Sequence, residues 1–315
     1  MNPAYSVILF TTTSGTGLGL LFLLGVLGPA GVLPLERGFG VAAFGVALAA
    51  LSVGLLASTF HLGQPGRALM AFREWRSSWL SREGVAAVAT YPATAFFAAG
   101  WVLQVDADGP WAAAGILTAL LSFLTVYCTA MIYRSLGTIH QWCNGWVVPN
   151  YLALALMGGV LWLNALVALF DLARPGLSLG AATVAAAALA LKLGYWRFID
   201  TTHHRSTAES ATGLGHLGKV RQIEAPHTNE NYLLKEMGFR VARKHAVKLR
   251  RIAVAAAYVG PMALSFLAAA VPGVLGDLAA ISAALLASLG LVVERWLFMA
   301  EARHVVTLYY GSDSA

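Results

Sequence analysis

Apolar residues run along the chain in eight long stretches, separated by short polar connectors and one long one. The stretches cover 6–33, 40–60, 85–105, 111–133, 151–170, 177–196, 252–271 and 278–299. A helix needs about 20 apolar residues to cross the hydrocarbon core, so each stretch predicts one crossing. Backbone polar groups cannot be left open in lipid. The expected fold class is therefore an all-α integral membrane protein, a bundle of eight transmembrane helices in a single domain, 1–315. A long basic connector, 197–251, joins helices 6 and 7. Glycine and alanine recur inside the stretches, "LGLLFLLGVLG" in the first for example, as suits helices that pack backbone to backbone. No repeat relates the two halves, which removes support for an inverted-repeat transporter.

Composition agrees and charge adds orientation. The chain is 58% hydrophobic and 11% charged, against about 25% charged in a soluble domain. A net charge of +6 in such a protein reports topology rather than nucleic-acid binding. With eight crossings both termini share a side with the second, fourth and sixth connectors. That side holds Arg67, Arg73, Arg76, Arg82, Arg134, the basic residues of 197–251 and Arg303, whereas the opposite side holds Arg37 and Arg174 among five carboxylates. The positive-inside rule then places both termini in the cytoplasm of a bacterial inner membrane. The first stretch lacks a basic flank and is too long for a signal-peptide core, so it is expected to be retained. Cys128 and Cys143 are too few for an iron–sulfur cluster or a structural zinc site, and no metal site is expected in this protein.

One connector concentrates the scarce charge: "FHLGQPGRALMAFREWRSSWLSREG", 60–84. Leu69, Phe72, Trp75 and Trp79 recur at steps of three and four, the pattern of a short helix lying at headgroup level. His61 and Glu83 sit where apolar stretches meet the interface, and an ionisable group there is expensive unless paired or used. An imidazole and a partly buried carboxylate can both exchange protons near neutral pH. That chemistry suits a quinone, whose reduction takes two electrons and two protons. From the residues alone the plainer reading stands ahead: a hydrogen-bonded interfacial histidine, and an ion pair of Glu83 with Arg82 or Arg76. "GLGHLG" at 213–218 matches G-x-G-x-x-G without a preceding strand, so a dinucleotide site is rejected. None of the eight histidines lies mid-stretch, so haem b with paired axial ligands across the bilayer centre is not expected; a single haem at the cytoplasmic edge stays open. The basic run ending the long connector, "ENYLLKEMGFRVARKHAVKLRR", suits an interfacial helix drawn to anionic lipid or a soluble partner.

Three motifs carry a family resemblance: "NPAYSVILFTTTSGTGLGL", "HLGQPGRALMAF" with "SWLSREG", and "MIYRSLGTIHQW". The protein resembles, along its whole length, the membrane anchor subunit of dimethyl sulfoxide reductase-type molybdoenzymes. The resemblance implies a complex in which the molybdenum cofactor and the iron–sulfur clusters sit in two partner subunits, while the anchor exchanges electrons with ubiquinone or menaquinone. It places His61 at the quinone site with Glu83 as its acidic partner. Gln64 and Arg67, in the same motif, would contact the quinone head, or Arg67 would instead dock the cluster subunit, and Arg82 joins them by adjacency. The charge bias and "GHLGKVRQIEAPHTNENYLLKEMGF" look like the anchor of cytoplasmic sulfite dehydrogenases, so sulfite oxidation with quinone reduction is the favoured expectation. A menaquinol-oxidising anchor of a reductase is the alternative, and a small-molecule transporter the alternative of another class.

Overall fold

The computed structural model describes residues 3–60, 64, 66, 70, 72–204, 206–224, 226–227, 231–237 and 245–312, with the side chains of 234–236 left aside. Eight helices in it are long and apolar enough to cross a membrane: α1 Tyr5–Leu27, α2 Arg37–Thr59, α3 Trp79–Gln104, α4 Gly109–Arg134, α5 Val147–Leu169, α6 Pro175–Thr201, α7 Ala246–Ala270 and α8 Val274–Ala300. Among the described residues there is no strand, only one isolated bridge between Ile139 and His304.

The ends of the helices depart from the apolar stretches for local reasons. α1 stops at Leu27 rather than at 33, because Pro29 and Gly31 (φ 68°) break the ladder. α2 starts at Arg37, where the Glu36 carboxylate caps the helix by accepting from Phe39 N (2.6 Å) and Gly38 N (3.3 Å). α3 begins at Trp79, six residues before the expected stretch, capped by the Ser78 hydroxyl. The helices α6 and α7 take residues from both ends of the expected connector, so 202–245 remain between them.

Helix α1 is the hub, packing on α2, α4, α5 and α8. Its glycines make this approach possible. A Cβ on Gly19 would lie 1.8 Å from Ala155 O of α5, and one on Gly159 would lie 2.3 Å from Gly19 C. With no hydrophobic drive between helices in lipid, such backbone contact is what holds them together. Toward the first and third connectors, Phe39, Phe44, Phe97 and Trp101 lock α2 to α3, with Phe44 edge-on to Phe97 at 5.3 Å and to Trp101 at 5.7 Å. The other half of the bundle is alanine-rich: Ala181, Ala185 and Ala188 of α6 share one core with Ala283, Ala284 and Ala287 of α8.

On the side of the second, fourth and sixth connectors, the connector side, the C-terminal segment folds back over the fourth connector. Val305 N donates to Thr138 O (3.1 Å) and Arg303 N to Gln141 Oε1 (3.0 Å). Here His140 Nε2 shares a hydrogen bond with Thr202 Oγ1 (2.8 Å), His204 bonds to Gly137 O (3.1 Å), and burial lowers the pKa of both His140 and His304.

Candidate functional site

The early start of α3 decides what the polar connector becomes. Arg82 and Glu83, expected at its end, lie inside the first turns of a helix. Successive helical residues point about 100° apart, so the two adjacent charges part company. Arg82 stays on the surface, donating from Nε to Trp75 O (2.9 Å) and from Nη2 to Arg76 O (2.6 Å), with its guanidinium 4.3 Å above the Trp79 ring. Trp79 in turn packs edge-on against Tyr127 of α4 at 5.9 Å. Glu83 turns inward and is only 4% exposed.

No cation pairs with Glu83 among the described residues, so the ion pair with Arg82 or Arg76 is not formed. Its partner is a neutral hydroxyl. Thr129 of α4 lies within hydrogen-bonding reach of Glu83 Oε1 and of Thr125 O at 3.0 Å. One hydroxyl proton serves one acceptor at a time; a proton on the Glu83 carboxyl lets both contacts be made together. Of the other expected site residues, Gln64 is exposed, while His61 and Arg67 lie outside the described residues, as does Leu69. The flat helix expected to run through Leu69, Phe72, Trp75 and Trp79 is replaced, over its described part, by a short 3-10 turn, Phe72–Glu74, and the cap of α3. The aromatic spacing was that of a helix, but Ser77 and Ser78 interrupt it and assign Trp79 to the crossing.

A second group of charges converges deeper in the bundle. Lys192 of α6 pairs with Glu294 of α8, and Arg295 forks onto the same carboxylate through Nε (2.5 Å) and Nη2 (2.9 Å). All three are at most 3% exposed. Two cations thus share one anion, and aromatic faces take up the remainder: Arg295 stands 4.3 Å over Tyr151, and Lys192 stands 4.3 Å over Tyr195. In the sequence these three stand as rare ionisable residues inside apolar stretches, and the adjacent Glu294 and Arg295 read as a pair within the bundle. The missed signal was depth. Lys192 is nine positions from the connector-side end of α6, and Glu294 six from that of α8, close enough in height to meet.

Between this cluster and Glu83 lies a cavity of about 20 Å³. Thr11, Thr12, Ser14 and Thr16 of α1 line it, facing Thr129, Tyr151 and Arg295. These are the hydroxyls of "TTTSGTG", a motif with no assigned use in the sequence. An apolar groove of about 170 Å³ opens beside it between α1, α4 and α5, and the two share Leu18, Val126 and Ala155.

Comparison with known proteins bears on all of this. The family description "DMSO reductase anchor subunit (DmsC)" matches residues 1–310. The protein is 32% identical, over 99% of its own length and 99% of the relative's, to a sulfite dehydrogenase subunit of Allochromatium vinosum. It is 28% identical to a subunit of the anaerobic dimethyl sulfoxide reductase of Haemophilus influenzae, over 36% of its own length and 41% of the relative's. No solved structure matches it.

Proposed function

Because this protein belongs to the DMSO reductase anchor subunit family, we propose that it is the quinone-reactive anchor of a molybdenum- and iron–sulfur-containing oxidoreductase, with the substrate site where the second connector meets α3. The observation that carries this is Glu83. A carboxyl group buried at the rim of a bundle and held by a hydroxyl, not by a cation, is costly to keep unless it is used.

The roles follow from placement. Glu83 holds and releases a proton at the quinone ring's edge. His61, next to the end of α2, donates to a carbonyl oxygen, and Gln64 and Arg67 steady the head. Arg82 acts by its positive field and by tying Trp75–Ser78 to the first turn of α3, since two of its nitrogens already serve backbone carbonyls. Electrons come from the partner's iron–sulfur cluster, docked over the second and sixth connectors. The charge bias puts that face, with both termini, in the cytoplasm of a bacterial inner membrane. Protons taken from the side where electrons arrive leave the step electroneutral, so the subunit does not pump.

The relative named for sulfite dehydrogenase, matched over 99% of both lengths, supports sulfite as the partner's substrate. There, sulfite and water give sulfate, two protons and two electrons, and the electrons leave through this subunit to quinone. The shorter likeness to a dimethyl sulfoxide reductase subunit favours the second reading, in which the same site oxidises menaquinol. A transporter is disfavoured, because the polar cavity has room for about one water and not for a solute.

The test is His61→Ala in the intact complex, assayed with quinone and with a soluble artificial electron acceptor. Loss of the quinone-linked rate alone is expected, by roughly 10²-fold or more for a removed proton donor. Equal loss of both rates removes the role given to His61.

A further inference from the structure

The hydroxyl-lined cavity stands between two buried sets of titratable groups that no ion pair joins among the described residues, beside the stacked rings of Tyr133 and Tyr151 (5.6 Å). Thr129 lines it and hydrogen-bonds to Glu83; Arg295 and Tyr151 line it and belong to the Lys192–Glu294 cluster. Its volume admits one water. Thr11, Thr12 and Ser14 donate to carbonyls of their own helix, which leaves their oxygens free as acceptors. The Tyr151 hydroxyl is buried beside Arg295 and Tyr133 and makes no hydrogen bond of full geometry to either. A water there has the several polar neighbours it needs.

The cluster also reaches toward the connector-side surface. Glu301, just past the end of α8, is buried, which raises its pKa above the usual carboxylate value; Arg250 and Lys192 act on it in the opposite sense. Its Oε1 accepts from Arg250 Nε (2.7 Å), and Arg250 forks onto Asp200 (2.6 and 2.9 Å), whose side chain is half exposed. The other oxygen of Glu301, Oε2, is buried and unpartnered.

We propose that these groups form a proton path, running from Asp200 at the surface, by the buried Glu301 and across the Lys192–Glu294 pair, to a water in the cavity and through the Thr129 hydroxyl to Glu83. The proposal rests on the quinone reading above. Each quinone reduced takes two electrons from the partner's cluster and two protons from connector-side water, its two carbonyl oxygens becoming hydroxyls. The path supplies those protons. Arg250 and Arg295 do not release theirs; they hold the carboxylates in file. Chains of ionisable groups inside a bundle mark proton relays, and this one ends on the carboxyl group at the proposed site.

Three variants of the intact complex test it: Lys192→Met, Thr129→Val and Glu301→Gln. Lys192→Met leaves Glu294 and Arg295 as a neutral pair, and Thr129→Val keeps the side-chain shape. Each should lower quinone-linked kcat roughly tenfold or more, the low end of what a lost proton-transfer group costs. The KM for quinone and the rate with the artificial acceptor should stay unchanged. The solvent deuterium isotope effect on kcat should rise, and a small weak acid such as azide should restore part of the rate. Thr129→Ser, which keeps the hydroxyl, should turn over like the parent. A raised KM with unchanged kcat, or a lowered kcat with an unchanged isotope effect and no rescue, overturns the path. Should a variant fail to assemble, the Val and Ser pair at position 129 still decides. The quinone reading fails separately, through Glu83 and His61 variants that keep full quinone-linked activity.

Discussion

Glu83→Gln in the intact complex is expected to lower quinone-linked turnover by roughly 10²- to 10⁴-fold, the range that a positioned proton-transfer group contributes. Gln fills the same space and can still hydrogen-bond to Thr129, so α3 and α4 should pack as before. What it cannot do is take up and release a proton at this pH. Reduction of a soluble acceptor by the partner subunits should therefore be unchanged. The contrast between the two assays isolates the loss to this subunit. Retention of the quinone-linked rate would remove Glu83 from the chemistry and leave it a structural carboxyl group.

The second large effect concerns stability. Glu294 is the one carboxylate between Lys192 and Arg295, and all three are enclosed by the bundle. Glu294→Gln leaves two buried cations facing each other without the anion that both contact. Removing one partner of a buried pair costs about 3–5 kcal/mol, and here two partners are stranded at once. The expected result is a marked loss of folded subunit from the membrane, with quinone-linked and artificial activities falling together because less complex assembles. Lys192→Met should be milder, since one anion and one cation remain. A stable Glu294→Gln protein beside an unstable Lys192→Met protein would contradict this ordering.

The crossings were legible because hydropathy over about 20 residues is set by the bilayer itself. Their ends were not, because caps and breaks are local. Ser78, Glu36 and Pro29 each moved a boundary by several residues. At α3 the shift matters for function: it carries Glu83 from a connector into a helix, and the helical turn then sends it inward while Arg82 stays out. Within a loop, Glu83 would be free to pair with Arg82 or Arg76, which is what the residues alone suggest. The Lys192–Glu294–Arg295 cluster was visible only as three costly residues, since pairing across α6 and α8 depends on which faces meet. The hydroxyl motif of α1 had no reading until α4, α5 and α8 closed around it. The family was readable from three short motifs, and its match runs over 1–310.

The account depends on quinone meeting the protein at the connector-side end of α3. A photoreactive quinone analogue, bound to the intact complex and activated by light, tests this directly through the peptides it labels. Labelling concentrated between residues 60 and 84, and competed away by unlabelled quinone, is the predicted result. Competable labelling confined to α6, α7 and α8, with none near Glu83, would contradict it.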